Sequence, residues 1–201
     1  MLLVLTAAIP QASRAALVFT NESSFISALS GTQVLLDFQT AAFGLINGSE
    51  FAAQGFTFNS PVTGPAGQLS IVPGAYLNIG RQPFAPEDDG NNDSLEVSIT
   101  GDWRALGFRF FDGLVPGNGE SVTFYGDNDV ILYSRSPLDG AVDYVGIIAD
   151  SPIRRVSIVE AAGDFDDIGY DNFRLATVPE PSTVLLGVLG AAGLLLKRRR
   201  Q

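Results

Sequence analysis

Between residues 17 and 177 the apolar positions recur with a period of two rather than 3.6. "SLEVSI" puts Leu95, Val97 and Ile99 on one face. "RALGFRFF" does the same with Leu106, Phe108 and Phe110, and "ESVTFYG" with Val122 and Phe124. Further short strands are predicted at "QVLLDF" (33–38), at "GFTFN" ending near 59, and at "VILYS", "DYVGIIA", "IRRVSIV" and "YDNFRL". Clusters of Gly, Pro, Asn and Asp separate them. One stretch, "NESSFISALSG", reads as a short helix. Asn21 is placed to cap it, Phe25 and Leu29 share a face, and Gly31 stands where a C-terminal cap is expected. About nine or ten strands at intervals of roughly ten residues predict an all-β fold, an antiparallel jelly-roll-like β-sandwich with a short N-terminal helix.

Both ends depart from this pattern. "MLLVLTAAIPQASRAA", 1–16, has an apolar run from Leu2 to Ile9, a break at Pro10 and small residues around Ser13-Arg14-Ala15. That order predicts a secretory signal without its basic n-region, so a true start upstream is expected; the alternative is a first strand of the domain. At the other end, Thr183 to Leu196 is 14 residues without a charge. A comfortable membrane helix takes about 20 apolar residues. This segment is short, but Lys197, Arg198, Arg199 and Arg200 follow at once and can snorkel. Val184, Leu185, Leu186, Leu189, Leu194, Leu195 and Leu196 would face lipid, while Gly187, Gly190 and Gly193 mark a small-residue stripe. The basic cluster predicts a single-pass C-terminal transmembrane helix with its end in the cytoplasm and the body outside. A buried core helix would not end in four consecutive cations.

Composition narrows the function classes. The chain carries a net charge of −10, with four of its twelve basic residues in the last five positions. Residues 15–177 hold seven arginines, no lysine and 21 acids, a net charge of −14. Nucleic-acid binding, which needs a basic footprint, is excluded by that balance. Cysteine and histidine are absent. No disulfide, no thiolate or imidazole zinc site and no Cys–His or Ser–His–Asp machinery can form.

The tail resembles a known signal. Pro179-Glu180-Pro181, then Ser182-Thr183, a Leu/Gly/Ala span and an Arg cluster look like the PEP-CTERM sorting segment, here 178–201. The resemblance implies export, a stay in the inner membrane, and recognition at Pro179, Glu180 and Pro181 by an exosortase. That membrane-embedded transpeptidase would then deliver the body to the cell surface or the extracellular matrix. Exopolysaccharide or biofilm production is the setting it implies. Two prolines stiffen an extended segment there, a shape suited to cutting.

The last strand, Tyr170-Asp171-Asn172-Phe173-Arg174-Leu175, resembles that of jelly-roll carbohydrate-binding modules, which implies a structural Ca²⁺ held by Asp171 with groups from the N-terminal strand. Asp37 is the candidate second ligand. By strand parity Asp171 would face the core with Phe173 and Leu175, and a buried carboxylate needs a cation or several donors. Asp37 would face out, opposite Val34, Leu36 and Phe38. "PEDDGNNDS" (86–94) lacks the spacing of a calcium loop and reads as solvated, and "GDFDDIG" (163–169) reads similarly, with the option of adding oxygens near Asp171.

Sugar binding asks for exposed aromatics. Trp103 and Tyr125 are the leading candidates, followed by Tyr76, Tyr133 and Tyr144, with Trp103 alternatively capping the core; most phenylalanines fall on core positions. The expectation is a non-enzymatic exported protein that binds extracellular polysaccharide. A structural or adhesive matrix protein is the alternative. A glycan-active enzyme ranks below both, since no Glu-x-Asp-x-x-Glu strand pattern appears.

Overall fold

The structure, a computed structural model, describes residues 16–60, 69–72, 76–79, 94–112, 121–136, 143–159 and 168–178. These form thirteen strands, one α-helix and two single-turn 3₁₀ helices, Ala52–Gln54 and Asp127–Asp129. The strands are β1 (Leu17–Phe19), β2 (Gln33–Leu36), β3 (Gly44–Ile46), β4 (Phe56–Asn59), β5 (Leu69–Val72), β6 (Tyr76–Ile79), β7 (Leu95–Ile99), β8 (Ala105–Asp112), β9 (Ser121–Tyr125), β10 (Ile131–Arg135), β11 (Asp143–Ile148), β12 (Arg155–Val159) and β13 (Ile168–Ala176). Helix α1 is Glu22–Ala28. Every pairing is antiparallel.

Two sheets result. The five-stranded sheet runs β10-β9-β12-β7-β4; the eight-stranded one runs β1-β11-β8-β13-β6-β5-β3, with β2 also on β13. β13 is the hinge of the larger sheet. Its first half pairs with β6 and its second half with β2 along one edge, while β8 takes the other. From β7 to β9 and again from β10 to β13 successive strands alternate between the sheets.

The inner faces carry the predicted alternation. Leu95, Val97 and Ile99, Leu106, Phe108 and Phe110, and Val122 and Phe124 are all buried. Aromatic rings fill the space between: Phe108 stacks on Phe173 at 5.0 Å, and Phe58 meets Phe173 edge-on at 5.1 Å. Such pairs add to what area burial alone supplies.

The helix begins as expected, with Asn21 Oδ1 accepting from Ser24 N at 3.0 Å. It ends earlier, since Leu29 is extended rather than helical. Gly31 does have φ +86°, but the reason is a close approach to β13 rather than a helix cap. A Cβ there would stand 2.7 Å from Thr177 O and Oγ1. The helix lies on the outer face of the eight-stranded sheet. Its buried Phe25 sits over Gly107 and Gly146, which are opposite each other in β8 and β11. Two adjacent glycines leave a flat seat for one ring.

Among the described residues no helix is long and apolar enough to cross a membrane. The predicted signal through residue 15, the acidic loops 86–93 and 163–167, Pro179 to Pro181, and the anchor from Val184 to Arg200 all lie outside the described residues.

Candidate functional site

Three places bear on the predicted residues. The first is a bulge in β13. Asp171 pairs with Arg109 of β8, but Arg174 pairs with Gly107, so β13 holds one residue more than its partner. Asn172 absorbs the extra residue in the left-handed region, φ +54°. Tyr170 and Phe173 both point into the core and are fully buried, with two residues between them. The parity argument therefore fails at Asp171. Its partner Arg109 alternates with core-facing Phe108 and Phe110, so Asp171 lies on the outer face, not in the core.

This correction brings Asp171 toward Asp37. Asp37 follows β2, and Leu36 of that strand pairs with Phe173 just beyond the bulge. Asp37 Oδ1 accepts from Gln39 N at 3.2 Å, fixing the turn. The first turn of α1 supplies Glu22, which takes Arg109 Nε at 2.9 Å and Asn172 Nδ2 at 3.3 Å. Asp171 Oδ1 is buried and has no hydrogen-bond partner. Burial, with the Asp37 and Glu22 charges adding to it, pushes the Asp171 carboxyl up to about 6; the Asn172 backbone and Arg109 pull the other way.

Calcium takes six to eight oxygens. Asp37 and Asp171 offer two carboxylates, and among the described residues no three His, Cys, Asp or Glu side chains converge to hold a metal. What the described residues favour by themselves at the bulge is retention of a proton on Asp171 up to about pH 6.

The second place is the outer face of the five-stranded sheet. Strand register lays two polar rows across it. One runs Ser134, Thr123, Ser157, Glu96, Asn59; the other runs Tyr125, Arg155, Ser98, Thr57. With strands about 4.8 Å apart, the five-residue row spans about 19 Å. Tyr125 is half-buried, and the Arg155 guanidinium lies 3.9 Å from its ring centroid. Arg155 is fixed by Asp129 at 2.9 Å and by Glu96 at 3.3 Å. The Asp129 hydrogen bond raises its already high pKa further. The arrangement is a rigid cation–π pair set among hydroxyls.

Trp103 belongs to the third place, the end of the sandwich. Its ring packs against the core and its indole N–H is spent on Thr100 O at 3.0 Å. Gly101 and Gly55 make room for it. Tyr144 is buried beneath α1, and Tyr133 packs on the core beside Phe124. Neither is a platform, and the Tyr76 side chain is outside the described set. Tyr125 is the predicted aromatic that the fold puts on an outer face with polar neighbours. Sequence reading missed Arg155 and the hydroxyl rows, which become visible only when the register of four strands is known.

By architecture the body is an antiparallel β-sandwich. More particularly, residues 177–200 match the PEP-CTERM protein-sorting motif. Among solved structures the chain is similar to a mutant of CBM29-2, a family 29 carbohydrate-binding module, at 21% identity and a TM-score of 0.44, covering 73% of this chain and 93% of that one. A second CBM29-2 mutant, complexed with mannohexaose, is similar at 19% identity and 0.44, covering 74% and 94%. No curated protein matches.

Proposed function

We propose that this chain is an exported, non-enzymatic surface or matrix protein, processed by an exosortase and binding an uncharged polysaccharide on the outer face of its five-stranded sheet. The sorting motif at 177–200 is the observation that carries export and processing. The glycan reading is supported by the Tyr125–Arg155 pair among Ser, Thr and Asn side chains, a surface that offers both a stacking ring and hydroxyl partners. An uncharged glycan suits a body with net charge −14 better than an anionic one. A glycan array with the purified body, residues 17–177, tests it. Binding lost in Tyr125→Ala with an unchanged melting temperature supports the reading. No sugar retained by the parent favours the structural or adhesive role.

Enzymatic action has one feature in its favour, a carboxyl held near 6 beside a second carboxylate. Against it, the Asp171 Oδ1 is buried next to the N-terminus of α1 rather than open to a substrate. Glycan hydrolysis abolished by Asp171→Asn would reverse this judgement. Calcium at Asp37 and Asp171 is a further proposal, carried by that buried oxygen without a donor. Asp37 and Asp171 would each give carboxylate oxygens, and the ion would screen their mutual repulsion.

A further inference from the structure

The first and last described strands meet at one end of the eight-stranded sheet. Leu17 pairs with Ile148, Ile148 with Ala105, Ala105 with Ala176, and Ala176 with Gln33. The chain therefore enters β1 and leaves β13 at the same rim, three strand spacings or about 14 Å apart.

At that rim the fold holds the chain to its last residue before the motif. Arg104 N donates to Ala176 O at 3.1 Å, Thr177 N to Thr32 O at 3.0 Å, and Thr32 N to Thr177 Oγ1 at 3.1 Å. Gly31 lets Thr177 approach so closely. Val178 packs on the apolar cluster of Phe25, Ala105, Tyr144 and Ala176. Pro179 is next. The sorting match begins at Thr177, a residue still bonded into the sandwich. There is no linker between fold and signal.

The consequence is steric. Pro179 to Pro181 can span at most about 10 Å, and Val178 to Thr183 about 18 Å. A folded enzyme that encloses those three residues is wider than that gap. It must press on the rim from which they emerge. The rim around Thr177 presents exposed Thr32, Asp102 and Asp150, with Arg104 bonded between them: its Nη1 donates to Asp150 O at 3.0 Å and its Nε lies 4.0 Å from Asp102. We propose that this rim is an interaction surface for the processing enzyme, touched whenever Pro179-Glu180-Pro181 is engaged. The proposal rests on the sorting reading above and adds a surface of the body to it.

The test uses the full chain in cells that supply the exosortase, with loss of the C-terminal segment followed by pulse–chase and mass spectrometry. Reversing two rim charges together, Asp102→Arg and Asp150→Arg, is expected to slow processing about fivefold or more. About ten Gly/Ser residues inserted between Val178 and Pro179 reach about 17 Å and lift the body away. With that spacer the charge-reversed chain should be processed at the parental rate. An unchanged melting temperature of the purified body shows that the fold is intact. Parental processing of the charge-reversed chain without a spacer overturns the proposal, as does failure of the spacer to rescue it. Pro179→Ala with Pro181→Ala is the control for the underlying reading. If that change leaves processing untouched, the sorting assignment itself falls and the rim proposal with it.

Discussion

Replacing Asp171 by Asn tests the reading of the β13 bulge in a single residue. The carboxyl is raised from its ordinary 3.8 to about 6, first by burial and then by the charge of Asp37. Between those values the folded chain keeps a proton that the unfolded chain releases. The stability this contributes is present in full below about pH 4 and is lost as pH rises through 6. A carboxyl fully shielded from water would carry about 3 kcal/mol over that interval. Asp171 is only half-buried, so solvent screening reduces the figure to about 1 kcal/mol. For a body of this length that is about 2–4 °C in melting temperature. Thermal unfolding in EDTA at pH 4.5 and pH 7.5 gives the measurement. Other acids also repel one another as pH rises, so the difference between parent and variant is the quantity to follow. The excess of Asp171→Asn over the parent should grow between pH 4.5 and pH 7.5, reaching about 1 kcal/mol at the higher pH. Equal pH slopes for the two proteins would refute the protonated bulge. A calcium titration at pH 7.5 separates the ion from the proton: calcium should raise the parent and leave Asp171→Asn unmoved. If EDTA and calcium both leave the parent's melting temperature unchanged, the calcium proposal fails while the proton argument stands.

Phe25→Ala should cost about 3–5 kcal/mol by chemical denaturation, because the ring is fully buried on its glycine seat. A loss below 1 kcal/mol would mean that α1 is not docked on the sheet. Arg155→Ala should weaken glycan retention along with Tyr125→Ala, since the guanidinium lies on that ring; retention unchanged in both would move the ligand elsewhere. Trp103→Ala should lower the melting temperature without changing which glycan is retained, as its ring caps the core. Asn172→Val should destabilise by about 1–2 kcal/mol in equilibrium unfolding, since a β-branched residue tolerates φ +54° poorly.

The long strands were legible because each buries one face. Leu95-Val97-Ile99 and Leu106-Phe108-Phe110 alternate cleanly, and the structure buries all six. β3, β5 and β6 were not legible. β5 is buried at Leu69, Ser70 and Ile71 in succession, so it has no alternation to read. β3 is three residues long with an exposed Leu45. At the β13 bulge the geometry was not legible. Asp37 and Asp171 appeared to face opposite ways, because counting by twos assumes an unbroken ladder. One inserted residue reverses every parity beyond it. The local signal was Asn172, a residue type that tolerates the left-handed region, yet a single Asn in a strand is weak support for a bulge. Arg155 over Tyr125 had no signal at all, since the two are brought together by cross-strand pairing over thirty positions.

The fold also limits which surface is open to a ligand. The outer face of the larger sheet is covered around β8 and β11: Phe25 covers Gly107 and Gly146, Glu22 engages Arg109, and Val178 packs on the same apolar cluster. A polysaccharide laid across that face would have to displace α1 and the residue that leads into the sorting motif. Helix α1 packs on β11, β8 and β1, whereas the outer face of the smaller sheet carries the two polar rows. Tyr125 and Arg155 lie on that face at the end nearer the rim, because Arg154 N bonds Tyr125 O while Ile153 N bonds Trp103 O beside β8. A glycan chain held there would leave α1 and the packed Val178 in place.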